Sequence, residues 1–318
     1  MSPTQKGRTG KYYRTRHMSQ SYYSFSSYLK KKFKCRVQRI SLNAGLNCPN
    51  RDGTFGFEGC YFCNEKGFVN FDNSEIALDE QIQTSLSFFK KRFKAEKFIA
   101  YFQNASNTYA PVEKLRAIYD VIKKYPEFVG LFISTRPDCI DEEKLDMISA
   151  YNDKYDVWIE YGLQTIHDKT LEFLNRRHTF RQFQEAVELT ARRNIKTAAH
   201  VILGLPRETR QDMLQTAKAL TELGLSGVKL HMFHVLKETE IARMYEQGKI
   251  SLLSEEEYVE IVCDFLERIS PECVIMRLVS NSKDDVLISP KWINRKQEVQ
   301  RKIEEEFKKR KTRQGFYK

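Results

Sequence analysis

Apolar residues fall along this chain in two alternating patterns. Short runs of β-branched and aromatic residues read as strands at Val37 to Asn43, Lys97 to Gln103, Phe128 to Ser134, Asp156 to Gly162, Lys196 to Leu203 and Gly227 to Val235. Between them, Leu78 to Phe93, Val112 to Lys124, Asp141 to Ala150, Phe180 to Arg193 and Arg210 to Leu223 carry apolar positions at helical spacing. Asp141 and Thr209 offer cap oxygens to their helices, and Gly224 follows the last periodic residue of its own. Strands that alternate with helices in this way make a parallel sheet, because each parallel neighbour needs a crossover. Six strands are too few to close an eight-stranded barrel, so the expected fold is α/β, a partial (β/α)6 parallel barrel.

After Val235 the pattern changes. Helices are expected at Glu238 to Gln247 and Ser254 to Ile269, then an apolar strand, Cys273 to Val279, a loop over Ser280 to Asp285, and a long polar helix from Pro290 to about Lys311. No Gly/Ser linker or internal repeat divides the chain. The expected organisation is an N-terminal extension over 1–36, a barrel over 37–250 and a C-terminal extension over 251–318 that holds the strand and the last helix.

Composition narrows the class. With 41% hydrophobic residues in 318, the chain is neither disordered nor low in complexity. No apolar run approaches the roughly 20 residues of a membrane span, and the basic, tyrosine-rich N-terminus lacks the apolar core of a secretory signal. A soluble, cytoplasmic protein with no membrane partner is expected. Lys and Arg number 53 against 42 Asp and Glu, a net charge of +11. The excess gathers in Lys6 to Arg39 and Lys291 to Lys318, and two basic ends around a more neutral middle suit a polyanionic partner such as nucleic acid.

Seven cysteines in a chain without an export signal do not describe a disulfide framework. Cys48, Cys60 and Cys63 fall together in a loop after the first strand, with Gly45, Gly53, Gly56 and Gly59 among them. A glycine-rich loop there can wrap closely around a bulky group. Structural zinc would need a fourth ligand, with only Cys35 or His17 nearby. A redox Cys-x-x-Cys pair leaves Cys48 unexplained. Three thiolates on an iron–sulfur cluster leave one iron open for a ligand, and this reading leads.

Three cysteines after the first strand of a partial barrel, the last pair spaced Cys60-Tyr-Phe62-Cys63, resemble the radical S-adenosylmethionine (SAM) superfamily. The wide Cys48–Cys60 gap is similar to the branch that contains the catalytic subunit of Elongator, and closer still to a bacterial family of short Elongator-like proteins. The residues that carry this are Cys48-Pro-Asn-Arg-Asp-Gly53, Thr135-Arg-Pro-Asp138, His234-Val-Leu-Lys237, the Arg277-Leu278 pair and Pro290-Lys-Trp292. The resemblance implies a [4Fe-4S] cluster on Cys48, Cys60 and Cys63, and SAM as the second cofactor. It places Phe62, Gln103, Ser134, Glu160, Gln164, Arg176, His200 and Ile202 about SAM. Gln103 and Asn104 stand where relatives carry a glycine-rich motif for the amino group. Ser134 takes the ribose position. Gln164 and Arg176 match residues that contact SAM in the coproporphyrinogen-type relatives.

Strand alternation puts Lys229, His231 and Phe233 on one face of the sixth strand, so Lys229 and His231, with Tyr245 beyond them, are the substrate-side candidates. For His200 a core role bonded to backbone competes with cofactor contact, and for the sixth strand a solvated sheet edge is the alternative. The resemblance further implies chemistry on the C5 side chain of a tRNA wobble uridine. Tyr12, Tyr13, Tyr22, Tyr23 and Phe25 are available to stack bases between phosphate-neutralising Lys and Arg. Elongator's C-terminal acetyltransferase domain has no counterpart in these 318 residues, so acetyl transfer is not expected. A flavodoxin- or ferredoxin-type electron donor and a downstream methyltransferase or other tRNA-modifying enzyme are the remaining expected partners. Two alternatives stay open: the same chemistry on a small molecule or peptide, and a nucleic-acid-binding protein with a structural metal and no turnover.

Overall fold

A computed structural model describes residues 21–64 and 76–318. Tyr12, Tyr13, His17 and the basic residues ahead of Ser21 lie outside the described residues. Six strands, β1 (Val37–Leu42), β2 (Lys97–Phe102), β3 (Phe128–Thr135), β4 (Asp156–Gln164), β5 (Lys196–Leu203) and β6 (Gly227–Met232), stand where the apolar pattern put them. A two-residue strand, β7 (Val235–Leu236), follows, then β8 (Val274–Arg277) and β9 (Leu287–Ser289). The main sheet has the order β1-β2-β3-β4-β5-β6-β8, parallel throughout and curled into a half-barrel, while β7 and β9 pair antiparallel beside it.

The barrel therefore has seven strands where the sequence pattern gives six. Val274 pairs with Gly227 and Ile275 with Val228, so the apolar run expected in the C-terminal extension adds the last strand of the sheet. Two helices, Glu240–Glu246 and Glu255–Arg268, separate it from β6 and break the strand–helix rhythm that made the first six legible. The final helix is also shorter than expected: Lys291–Asn294 forms a single 3-10 turn and the helix itself runs Lys296–Arg310.

Alternation along the strands divides two cores. On β4, Val157, Ile159 and Tyr161 face outward and are covered by the crossover helices, with Leu86, Leu115, Leu145, Phe183, Met213 and Phe265 in the same buried cluster. Trp158 faces inward with Ile99, Tyr101, Phe132, Ala198 and Val274. Crossover helices start where cap chemistry allows: Asp141 accepts from the Lys144 N–H, and Thr179, Thr209 and Ser254 each close a capping box with Gln182, Asp212 and Glu257.

An N-terminal helix that the periodicity does not announce, Phe25–Phe33, stops the lower end of the barrel. Leu29, with Phe25 and Tyr28, packs on Phe132, Trp158 and Val37. Asp156, at the foot of β4, holds it there: its carboxylate accepts from the Tyr28 hydroxyl at 2.7 Å, Lys32 at 2.5 Å, Lys196 at 2.9 Å and the Trp158 indole at 3.0 Å. The two ends of the described chain are stitched together beside it. The Gln314 N–H donates to the Ser21 carbonyl at 2.9 Å, and the Gln314 side chain accepts from the Tyr23 N–H and donates to the Cys273 carbonyl.

Candidate functional site

The upper end of the barrel carries the cysteine loop. Gly53, Gly56 and Gly59 all take positive φ there, and a Cβ on Gly59 would sit 2.9 Å from the Arg51 guanidinium, whose Nη2 donates to the Cys63 carbonyl at 2.8 Å. The loop is tied to the segment after β4. Asn50 Nδ2 donates to the Asn175 carbonyl at 2.6 Å, and Asn175 Nδ2 donates to the Gly59 carbonyl at 2.7 Å. Cys60 is buried, and its sulfur receives hydrogen bonds from Asn50 Nδ2 at 3.4 Å and Arg176 Nη1 at 3.3 Å. Burial first, and then the neighbouring Cys60 sulfur, push the Cys63 thiol up to about 11, against a smaller pull from Arg51.

These residues fit a cluster. Among the described residues no three His, Cys, Asp or Glu side chains converge closely enough to ligate one metal ion. Cys35, the fourth ligand a zinc site would need, packs beside the N-terminal helix at the other end of β1, about 20 Å of strand away. Cys63 feels the charge of both Cys60 and Cys48, and three thiols gathered on one loop suit a cluster that takes one ligand on each of three irons. Its positive iron would let the sulfurs ionise, and the Asn50 and Arg176 donors would stabilise a thiolate at Cys60.

Arg176 joins this loop to the main cavity, a space of about 890 Å³ inside the barrel. Besides Cys60, it donates to the Gly162 carbonyl at 2.6 Å, and among the described residues it has no carboxylate partner. Burial, and next the Arg176 charge, lower His178 to about 3, so the imidazole 3.0 Å from Arg176 is neutral. Arg136 backs the segment. Its guanidinium grips Asp138 with both Nε (2.9 Å) and Nη2 (2.6 Å), and Nη2 also donates to the Arg176 carbonyl at 2.8 Å.

Phe62, Gln103, Ser134, Gln164, Arg176, His200 and Ile202 all line the cavity. Asn104 and Ala105, at the place of the family's glycine-rich motif, hold φ of 75° and 50°, a left-handed turn kept without glycine. Gln164 also has a positive φ, 77°, where the β4–β5 register shifts and turns its side chain to the cavity. Lys229 and His231 line it too; β8 lies beyond β6, so β6 is an interior strand rather than a solvated edge.

Two assigned residues stand elsewhere. Glu160 is fully buried beneath the lining, where one oxygen, Oε2, accepts from Tyr101 (2.8 Å), His200 (2.7 Å) and Lys229 (2.8 Å). The inward period of β4 does aim it at the barrel, but these three side chains cover it. Tyr245 is outside the cavity lining; its helix packs on the far side of Phe62 and Ile202, and its hydroxyl meets Ser289 Oγ at 3.3 Å. Sequence reasoning missed Arg39, Tyr101 and Arg136 as site residues. Arg39 and Tyr101 were legible as inward positions of β1 and β2, and Arg136 as the arginine of Thr-Arg-Pro-Asp.

The Radical SAM superfamily profile matches residues 47–220, and the Radical_SAM C-terminal domain matches 225–309. The chain belongs to the radical SAM superfamily. Within it, the chain falls in the Elongator-like branch. It is similar to the uncharacterized protein MJ0486 of Methanocaldococcus jannaschii, 41% identical over 92% of this chain and 90% of that one. A tRNA uridine(34) acetyltransferase of the same organism is 28% identical over 149 residues, 46% of this chain and 27% of that protein. Among solved structures, the Elp3 of Methanocaldococcus infernus with its first 46 residues deleted superposes with a TM-score of 0.66 at 15% identity, over 87% of this chain and 64% of that one. No helix among the described residues is long and apolar enough to cross a membrane.

In a radical SAM protein the bound cluster and SAM together supply a 5′-deoxyadenosyl radical. This chain's share is to hold and orient them. Cys48, Cys60 and Cys63 would take the cluster, Arg176 would meet the methionine carboxylate beside it, and Gln103, Ser134, Gln164 and Ile202 would surround the rest of SAM. Lys229 and His231 line the same cavity.

Proposed function

We propose that this protein cleaves SAM reductively and uses the radical on the C5 side chain of a wobble uridine in tRNA. The observation that carries the reading is the similarity to a tRNA uridine(34) acetyltransferase over 149 residues. Charge distribution supports it. Ser21 and Tyr23 meet Gln314, so the basic helix Phe25–Phe33, with Lys30, Lys31 and Lys32, and the tail after Lys308, Lys309 and Arg310 start from one place on the surface. A substrate touching both that place and the cysteine loop must run the length of the barrel, which a tRNA does and a metabolite does not. A flavodoxin- or ferredoxin-type donor would reduce the cluster, and a methyltransferase or other tRNA-modifying enzyme would act next.

The test is anaerobic reconstitution with iron and sulfide, then dithionite and SAM, with and without unmodified tRNA. 5′-Deoxyadenosine should form in the parent, rise with tRNA and vanish in Cys48→Ala, Cys60→Ala and Cys63→Ala. No tRNA binding even at low salt would overturn the RNA reading while leaving the SAM chemistry standing.

A further inference from the structure

Below the proposed SAM position, the cavity ends in a layer of basic side chains with too little negative charge to balance it. Arg39 on β1 and Arg277 on β8 occupy the two edge strands of the half-barrel and face one another across its open side, both lining the cavity. Their mutual approach is electrostatically unfavourable: burial first, and then the Arg39 charge, hold Arg277 below the usual guanidinium range. Lys296, at the start of the last helix, is depressed by burial and by the same two arginines.

Among the described residues the Arg277 and Lys296 side chains make no hydrogen bond or ion pair, and the Arg39 side chain only lies over the Phe25 and Tyr101 rings with Nη1 buried and unpartnered. His231 lines the same space with Nε2 buried and unpartnered. Among the described residues, the carboxylate that acts on Arg39 and Arg277 is Glu160, which already gives Oε2 to three donors, and its buried Oε1 meets none of these cations. Arg39 and Arg277 thus act on a carboxylate that Lys229 already engages. Half-buried guanidiniums without a partner keep part of their desolvation cost, which an anion brought into the cavity from outside would relieve.

We propose that this layer binds the oxyanion, carboxylate or phosphate, of a small-molecule ligand between Arg39 and Arg277. Two guanidiniums facing one another offer paired N–H donors to a planar or tetrahedral oxyanion. His231 Nε2 lies at its margin. The site is separate from the methionine-carboxylate position at Arg176, which sits among the cysteines at the other end of the cavity. It does not depend on the acceptor being tRNA: it gives the enzyme a second, acidic ligand under either substrate.

The experiment uses the full chain, reconstituted anaerobically, without SAM or RNA. Inorganic phosphate and succinate are titrated separately against sodium chloride at matched ionic strength, and binding is read by calorimetry and by thermal midpoint. One equivalent of at least one probe should bind, and the preferred probe separates phosphate from carboxylate recognition. Affinity should fall at least tenfold in Arg277→Gln and in Arg39→Gln, and be kept in Arg176→Gln. In chloride alone Arg277→Gln should melt no lower than the parent, because it removes an unpaired, half-buried charge, so loss of binding will not be mistaken for unfolding. Failure of both probes to bind, or binding lost in Arg176→Gln and kept in Arg277→Gln, would overturn the proposal. Neither outcome touches deoxyadenosine formation with tRNA, the test of the preceding reading.

Discussion

Lys229 Nζ on β6 lies 2.8 Å from Glu160 Oε2 on β4, two strands away across the curve of the barrel, and both side chains are buried. Burial works to raise the Glu160 carboxyl, yet the Lys229 charge, joined by His200, holds it well below its usual range. Burial pulls Lys229 down to about 7, with Glu160 opposing. The pair is thus charged below neutral pH, and Lys229 gives up its proton as pH rises through about 7.

Removing one member leaves the other buried and alone. Glu160→Gln should destabilise the protein by about 3–5 kcal/mol. The double variant Glu160→Gln/Lys229→Met should recover most of that loss. Urea unfolding of the three proteins side by side checks both expectations; a double variant no more stable than the single one would mean that Tyr101 and His200, rather than Lys229, depend on the carboxylate.

Arg136 and Asp138 make a two-pronged pair with both side chains 4% exposed, and Arg136 also carries the Arg176 carbonyl. Asp138→Asn should cost about 3 kcal/mol and loosen the segment that sets Arg176 against Cys60. The variant should then lose iron faster than the parent when challenged with a chelator.

Arg176 makes a forked contact that a lysine cannot reproduce. Arg176→Lys should bind SAM about tenfold or more weakly, the equivalent of one charged hydrogen bond, while keeping its iron. Equilibrium dialysis with labelled SAM on reconstituted protein reads the first, and iron analysis the second.

Four histidines are held neutral by burial: His178 at about 3, His200 at about 4, and His231 and His234 also lowered. The folded protein binds fewer protons than the unfolded chain between those values and about 6.5. Stability therefore falls as pH drops below about 6.5, by up to about 1.4 kcal/mol per pH unit for each histidine. Carboxylates, whose ordinary range lies lower, contribute little above about pH 5. Unfolding free energies at pH 7.5, 6.0 and 5.0 should fall steeply, and His178→Gln should remove about one proton from the slope.

The strands that alternate with single helices were readable from periodicity alone, because each buries an outward apolar face under its own crossover. β8 was readable as apolar but not as part of the barrel, since its pairing with β6 spans more than forty residues and two helices. The helix Phe25–Phe33 was hidden by composition: its lysines read as a charge run, although Phe25, Tyr28 and Leu29 make its buried face. The cysteine loop was legible because three cysteines within sixteen residues need no fold to bring them together. Arg39 and Arg277 are the opposite case. One inward arginine on a strand says nothing; only the curl of the sheet brings β1 and β8 face to face.

The stitch between Gln314 and the Ser21–Tyr23 segment also sets a timetable for synthesis. Tyr23 waits beneath an unfinished barrel for β8, and then for a glutamine that follows it by 291 residues. Until both emerge, the inward faces of Phe132 and Trp158 lack their final covering of Val274 and Met276. Contacts of such sequence separation form late. During synthesis the last edge of the barrel therefore closes only after β8 has emerged, with the N-terminal helix alone covering the floor until then.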